Sequence, residues 1–196
     1  MKHLTRKSFL LHGQYRNNVA EASWDDRPSD EDNVLIPWQA IYAVLGMQAT
    51  LDYMVSLDAL VLECRRFAVW ATEQYLWLLI KEESKQALTA AKGFAQGLVT
   101  DQELEKKRKA AIRTGREFDY DTEQLYRQAN AAVIWAAGTG LHFAPSEVIR
   151  RLQLVDSMLP ENHDQTVHGS IRTRIEKEFE RIIGFFDEEI GESRAP

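Results

Sequence analysis

The stretch DALVLECRRFAVWATEQYLWLLIK, residues 58–81, decides the fold of this chain. Its apolar residues recur at the three- and four-residue spacing of an α-helix, and more of them lie on the opposite side. A helix that is apolar around most of its circumference is typical of the buried centre of a bundle. We therefore predict a buried central helix over about 58–81, with Asp58 as its N-terminal cap.

The rest of the chain predicts further helices and no confident strand. Residues 100–103, Thr-Asp-Gln-Glu, have the capping-box pattern that begins a helix, and Gly115 suits its end. Pro37 and Pro145 each suit the first position of a helix. The sequence predicts an all-α fold, in which one domain over residues 1–196 forms a bundle of about seven helices around the central one.

The inward positions of these helices predict the core. Apolar side chains that share one face of each helix should be the ones that lose contact with water. We expect the core to include Trp38, Leu45, Leu60, Cys64, Phe67, Ala71, Leu78, Val133, Leu152, Ile175, Phe179 and Ile182.

Composition excludes several classes of protein. The 196 residues carry a formal net charge of −6 and are 44% hydrophobic and 28% charged, as in a soluble globular domain. A single cysteine, Cys64, excludes an intramolecular disulfide and a cysteine-built zinc site. No apolar run approaches the ~18 residues of a membrane-spanning helix, and Phe9–Leu11 is too short for the core of a signal peptide. We expect a cytoplasmic protein without membrane contact.

An acidic segment near the N-terminus is the first candidate for a binding surface. Residues 13–33 are polar and predict a loop, since Pro28 interrupts any helix there. One large aromatic side chain lies among carboxylates in this loop, and exposed tryptophans often anchor protein interfaces. The candidate partner-binding residues are Trp24, Asp25, Asp26, Asp30, Glu31 and Asp32.

A basic segment is the second candidate. Residues 106–116 contain six cations and no acid. Helical geometry spreads the cations at 106–109 around the axis, whereas Lys109, Arg113 and Arg116 share one face. The candidate nucleic-acid-binding residues are Lys106, Lys109, Arg113 and Arg116. Such a face can contact phosphate or an acidic partner. The alternative interpretation is a solvated helix whose cations lie near its C-terminal end, where the helix dipole favours them.

Signatures of catalysis and of cofactor binding are missing from the sequence. No HExxH motif, phosphate-binding loop, dinucleotide fingerprint or nucleophile elbow occurs. His163, Asp164 and His168 form the one histidine–carboxylate cluster, but on a continuous helix the two histidines would lie about 140° apart. We therefore predict no catalytic residues, no metal and no cofactor.

One part of the chain resembles a known family. A helix that begins Cys64-Arg65-Arg66-Phe67-Ala68 is followed by a helix end at residues 90–97 (AAKGFAQG), the helix start at 100–103, and an alanine-rich helix over 129–137. This order resembles the small all-helical immunity proteins of bacterial toxin loci, over about residues 58–137. The resemblance implies a protein that binds a toxin and neutralises it.

The leading hypothesis is therefore a non-catalytic interaction protein with a protein partner. An acidic inhibitor suits a basic toxin, because complementary fields speed encounter, and this assigns the binding to residues 24–32. The alternative is a helical subunit or inhibitor of a phage-defence nucleoprotein complex that contacts nucleic acid through residues 106–116. A steep fall of affinity with salt distinguishes the second hypothesis, although the net charge argues against general nucleic-acid binding.

Overall fold

A computed structural model describes residues 36–56, 60–159 and 165–192 of the chain. These ranges contain seven α-helices, two short 3₁₀ helices and no strand, which confirms the predicted all-α fold. None of the helices in these ranges is long and apolar enough to cross a membrane. The helices are α1 (Trp38–Ser56), α2 (Val61–Glu73), α3 (Glu82–Ala95), α4 (Asp101–Gly115), α5 (Gln124–Ala136), α6 (Pro145–Met158) and α7 (Gln165–Glu192).

The chain divides into two compact units. In the first, α1 packs against the later part of α7. The Asp187 carboxylate accepts hydrogen bonds from the backbone N–H groups of Trp38 (2.6 Å) and Gln39 (3.0 Å), so a side chain from another helix caps the start of α1. The rings of Tyr42 and Phe179 meet edge to face, with centroids 5.3 Å apart. The acidic loop predicted over 13–33 lies outside the described residues.

Gly46 interrupts α1. Its backbone has φ 73° and ψ 175°, which other residues rarely adopt, and the chain continues as helix on either side. The prediction that Leu45 belongs to the core is wrong: Leu45 is the last residue before the break at Gly46, where the first helical segment ends, and it is only half-buried. The hydroxyl of Thr50 donates to the Gly46 carbonyl four residues back (2.7 Å).

The second unit runs from Val61 to Ile175 and has α2 at its centre. Helix α2 contacts α3, α5 and α6, as expected for a central helix. The predicted end near Lys81 is wrong, because α2 ends at Glu73 and a 3₁₀ helix, Leu76–Leu78, follows. The N–H of Tyr75 bonds the Thr72 carbonyl three residues back, and this tighter winding ends the α-helix. The predicted cap, Asp58, lies outside the described residues.

The connection between α3 and α4 is fixed by local hydrogen bonds. Gly97 has φ +74°, its N–H bonds the Phe94 carbonyl (3.0 Å), and the N–H of Leu98 bonds the Gly93 carbonyl (2.8 Å). This is the Schellman arrangement that closes a helix C-terminus. Three residues later, the Thr100 hydroxyl accepts from the Glu103 N–H (3.3 Å) and begins α4. The predicted start of α4 at the capping box and its end at Gly115 are confirmed.

Most of the predicted core is confirmed. Ile182 is the second error, because α7 buries the next residue, Ile183, completely and leaves Ile182 only half-buried. A long helix drifts against any fixed spacing, so the inward face is displaced by one position there. The confirmed core residues are Trp38, Leu60, Cys64, Phe67, Ala71, Leu78, Val133, Leu152, Ile175 and Phe179.

Candidate anion-binding face on helix α4

Helix α4 has a buried side and a cationic side. Leu104, Ala111 and Thr114 are buried against the rest of the unit, whose neighbouring helices are α3 and α5. On the outer side, four cations of the sequence prediction are all exposed: Lys106, Lys109, Arg113 and Arg116, which we call the basic row. The structure therefore brings this predicted set together on one solvent-facing surface.

Helical geometry sets the dimensions of the basic row. At 100° per residue, the four positions fall within about 80° of the helix circumference. At 1.5 Å per residue, they extend over about 15 Å along the axis. The row borders an open groove of about 970 Å³, to which Gln102, Glu105 and Ile112 also contribute among the described residues.

A buried amide fixes α4 against its neighbours. The side chain of Asn130, on α5, donates from Nδ2 to the Ala111 carbonyl of α4 (3.2 Å) and accepts at Oδ1 from the Ser84 hydroxyl of α3 (2.6 Å). Asn130 approaches Gly115 so closely that a Cβ there would lie 2.4 Å from Nδ2. The absence of a side chain at Gly115 therefore allows the amide to join three helices.

Two acids, Glu103 and Glu105, line the groove beside the basic row. The Glu105 carboxylate accepts two hydrogen bonds from the Arg108 guanidinium (2.7 and 3.1 Å), and Lys109 Nζ lies 3.7 Å away. The hydrogen bond from Arg108 lowers the pKa of Glu105. Within the described ranges, no acidic side chain lies within ion-pair distance of Lys106, Arg113 or Arg116. Three of the four cations are thus available to an external anion.

An acidic turn, residues 117–123, follows the basic row directly. The Asp119 carboxylate accepts from the N–H groups of Asp121 and Thr122 and from the Thr122 hydroxyl, each at 2.9 Å. These hydrogen bonds, of which the one from the Thr122 backbone contributes most, lower the pKa of Asp119. The ring of Tyr120, which is 67% exposed, lies 4.5 Å from the Arg127 guanidinium. A turn closed in this way presents negative charge at the end of α4.

Helix α2 holds a buried cation that the sequence did not predict. Arg65 is 4% exposed, and its Nη1 donates to the Ala136 carbonyl (3.0 Å), one of the unpaired acceptors at the end of α5. Its guanidinium also lies over the rings of Phe143 (4.0 Å) and Phe94 (4.9 Å). Burial lowers the pKa of Arg65 to about 10, and the charge of Asp101 partly opposes that shift. The one available signal was its helical register, one residue after the inward-facing Cys64.

The other predicted residues fall into two groups. The partner-binding set near the N-terminus lies outside the described residues, and so do the side chains of His163, Asp164 and His168. The thiol of Cys64 is buried in α2. In the part of the chain that the structure describes, no three His, Cys, Asp or Glu side chains are grouped as metal ligands would be. The partner-binding residues are Trp24, Asp25, Asp26, Asp30, Glu31 and Asp32.

Comparison of the chain with protein-family models, curated proteins and solved structures found no match.

Proposed function

We propose that this chain is a non-catalytic interaction protein that works in the cytoplasm by binding the surface of a macromolecular partner. The basic row carries the proposal, since it places four exposed cations on one face of a helix whose opposite face is fixed in the core. Three of these cations have no acidic partner among the described residues. Neighbouring like charges repel one another, and an anionic surface that meets all of them relieves that repulsion.

Neutralisation of a toxin is the role that the family resemblance implies. A basic toxin would meet the acidic segment at residues 24–32, whereas a toxin with an acidic surface would meet the basic row. Patches of opposite sign on two proteins speed their encounter and fix their relative orientation. Trp24 would then fill a pocket on the partner as the apolar anchor of the interface.

Co-expression with the protein encoded beside this gene tests that role, with growth of the host cells as the readout. We expect the chain to restore growth and Trp24→Ala to weaken binding of the partner by at least ~2 kcal/mol, the size of a hot spot. Arg113→Glu with Arg116→Glu should abolish the protection. Arg174→Gln with Lys177→Gln changes two exposed cations of α7 and is the matched control. Equal protection by all variants would contradict a role for α4.

Contact with nucleic acid is the second candidate, and the unpaired cations of the basic row favour it. In this form the chain would be a subunit or inhibitor of a phage-defence nucleoprotein complex. Phosphate contacts release counterions, so affinity would fall steeply with salt. A weak dependence on salt would instead indicate an interface in which apolar burial dominates.

A further inference from the structure

The composition of the outer side of α4 distinguishes between kinds of partner. None of the exposed large hydrophobic residues belongs to α4; Leu98 precedes the helix and Tyr120 follows it in the acidic turn. A protein–protein interface needs a desolvated core that is enriched in apolar and aromatic groups and depleted in lysine. Interfaces with nucleic acid are polar and strongly cationic, as this surface is.

The dimensions of the basic row agree with a strand of phosphates. Its length is about 15 Å, and one strand of a B-form duplex presents about four phosphates over that axial distance. Two of the cations are arginines, whose guanidinium groups can bind phosphate oxygens through two parallel hydrogen bonds. Because α4 carries no exposed aromatic ring, bases have nothing to stack on there, so the contact would not depend on base sequence.

The acidic turn sets one end of the contact. Glu117, Asp119 and Asp121 are exposed and follow Arg116 within five residues of the chain. Lys81 Nζ lies 3.4 Å from the Glu117 carboxylate, whereas the Asp121 carboxylate has no partner among the described residues. A phosphate strand that continued past Arg116 would meet like charge.

We propose that the basic row binds the sugar–phosphate backbone of a nucleic acid over no more than about four phosphates, independently of sequence, and that the acidic turn ends the contact. This inference rests on the second form of the proposed function, contact with nucleic acid, because it names the anion that the basic row holds. The overall negative charge of the chain weakens association with longer nucleic acids and confines binding to this face.

The experiment measures fluorescence anisotropy of a short labelled DNA duplex of mixed sequence, titrated with the full chain between about 50 and 200 mM NaCl. Four contacts predict that log Kd changes with log salt with a slope of magnitude about 3.6, so affinity falls roughly 150-fold over that range. Arg113→Gln with Arg116→Gln should remove two contacts and lower the slope by about 1.8. The control pair Arg174→Gln with Lys177→Gln should leave the slope unchanged.

A gain-of-function variant tests the boundary. Asp121→Lys replaces the unpaired carboxylate with a cation, so we expect tighter binding and a slope that is larger by about 0.9. An unchanged affinity would overturn the claim that the acidic turn ends the contact. Circular dichroism of each variant checks that the helices are retained.

Poly-L-glutamate, titrated as a competitor and as a direct ligand, separates failure of this inference from failure of the proposed function. If poly-L-glutamate binds through Arg113 and Arg116 while the duplex does not bind, the partner is an acidic protein surface and the nucleic-acid inference is overturned. If neither polyanion binds at about 50 mM salt, or if both double variants behave alike, the proposed role of the basic row fails as well.

Discussion

Helices α2 and α4 both carry arginines, and the two environments are opposite. On α2, Arg65 is buried beneath two aromatic rings and its pKa is lowered by loss of water. On α4, Arg113 and Arg116 are exposed beyond a buried inner side. The register of the apolar neighbours decides whether a positive residue faces the core or the solvent.

The buried cation has a structural explanation in the end of α5. The last carbonyls of a helix lack intrahelical donors and carry the negative end of its dipole. Arg65 supplies a donor to the Ala136 carbonyl, and the faces of Phe94 and Phe143 offer partial negative charge to its guanidinium. These contacts offset part of the cost of removing the charge from water.

The largest change in the free energy of unfolding is expected from a substitution of Phe67 on α2. Phe67 is 2% exposed, so Phe67→Ala should lower the free energy of unfolding by about 3–5 kcal/mol through lost burial and a residual cavity. Its neighbour Arg66 is exposed, and Arg66→Ala should change stability by less than about 0.5 kcal/mol. Urea unfolding of both variants makes the measurement. Similar losses in the two would show that the inward face of α2 is wrongly assigned.

Smaller changes in the free energy of unfolding are expected when the buried Arg65 and the exposed Arg113 are each replaced by alanine. Arg65→Ala should cost about 2–3 kcal/mol, because it leaves the buried Ala136 carbonyl without a donor and two rings without their contact. Arg65→Met keeps an apolar stem and should cost less. Arg113→Ala should leave the free energy of unfolding within about 0.5 kcal/mol of the parent. Equal losses for Arg113→Ala and Arg65→Ala in thermal or urea unfolding would contradict the different burial of the two arginines.

The attachment of α4 is tested by a double-mutant cycle. Gly115→Ala places a methyl group 2.4 Å from the Asn130 amide and should cost about 1–3 kcal/mol. Asn130→Ala should cost about 1–3 kcal/mol, because it leaves the Ala111 carbonyl and the Ser84 hydroxyl without their shared partner. In the double variant the space left by the amide accepts the methyl group. The loss of unfolding free energy in the double variant should therefore be smaller than the sum of the losses in the two single variants. Strict additivity would show that the two sites do not interact.

The smallest effect is a decline of stability at alkaline pH, which comes from Tyr75, two residues after the end of α2. Tyr75 is 1% exposed and donates to the Asp156 carboxylate (2.7 Å); burial first, and then that negative charge, raise the pKa of Tyr75 far above its usual value. A folded-state pKa above the unfolded one means that its stabilisation is fully present below about pH 10 and declines at higher pH. The loss should approach about 1.4 kcal/mol per pH unit.

Tyr75→Phe should reduce the alkaline decline by the part that Tyr75 contributes, measured as urea unfolding between about pH 9 and 11. Tyr120→Phe is the matched control, because the Tyr120 ring is exposed and its loss should leave the pH dependence unchanged. An identical pH dependence in the parent chain and in Tyr75→Phe would contradict the assignment.

The sequence predicted the parts of the fold that depend on local chemistry. The start of α4 follows from the hydroxyl of Thr100, and the end of α3 from the freedom of Gly97 to take a positive φ. The end of α2 was not predicted, because residues 75–80 are apolar without interruption. The helix ends where the Tyr75 N–H bonds the Thr72 carbonyl, and no local sequence signal marks that change of winding. The register of Ile182 and Ile183 depends likewise on packing between distant parts of the chain.

The sequence predicted the residues of the basic row, but it did not predict the buried polar residues Asn130 and Arg65. The helical spacing of Lys109, Arg113 and Arg116 predicts a shared face without further information. Asn130 could not be identified from the sequence. Its side chain bonds a carbonyl of α4 and a hydroxyl of α3, and no local sequence pattern predicts that these groups lie close together. Arg65 was overlooked for a similar reason, since the carbonyl and the rings that enclose it come from three other segments.

The Schellman closure at Gly97 and the cap at Thr100 have a consequence for the order of folding. They join α3 and α4 through a connection of only five residues, so this pair can form its contacts after closing a very short loop. By contrast, the bond from the Trp38 N–H to Asp187 spans 149 residues of chain. Contacts between residues close in the sequence form fastest, because less chain entropy is lost before they are gained. The α3–α4 pair should therefore acquire protection against hydrogen exchange earlier in refolding than the start of α1.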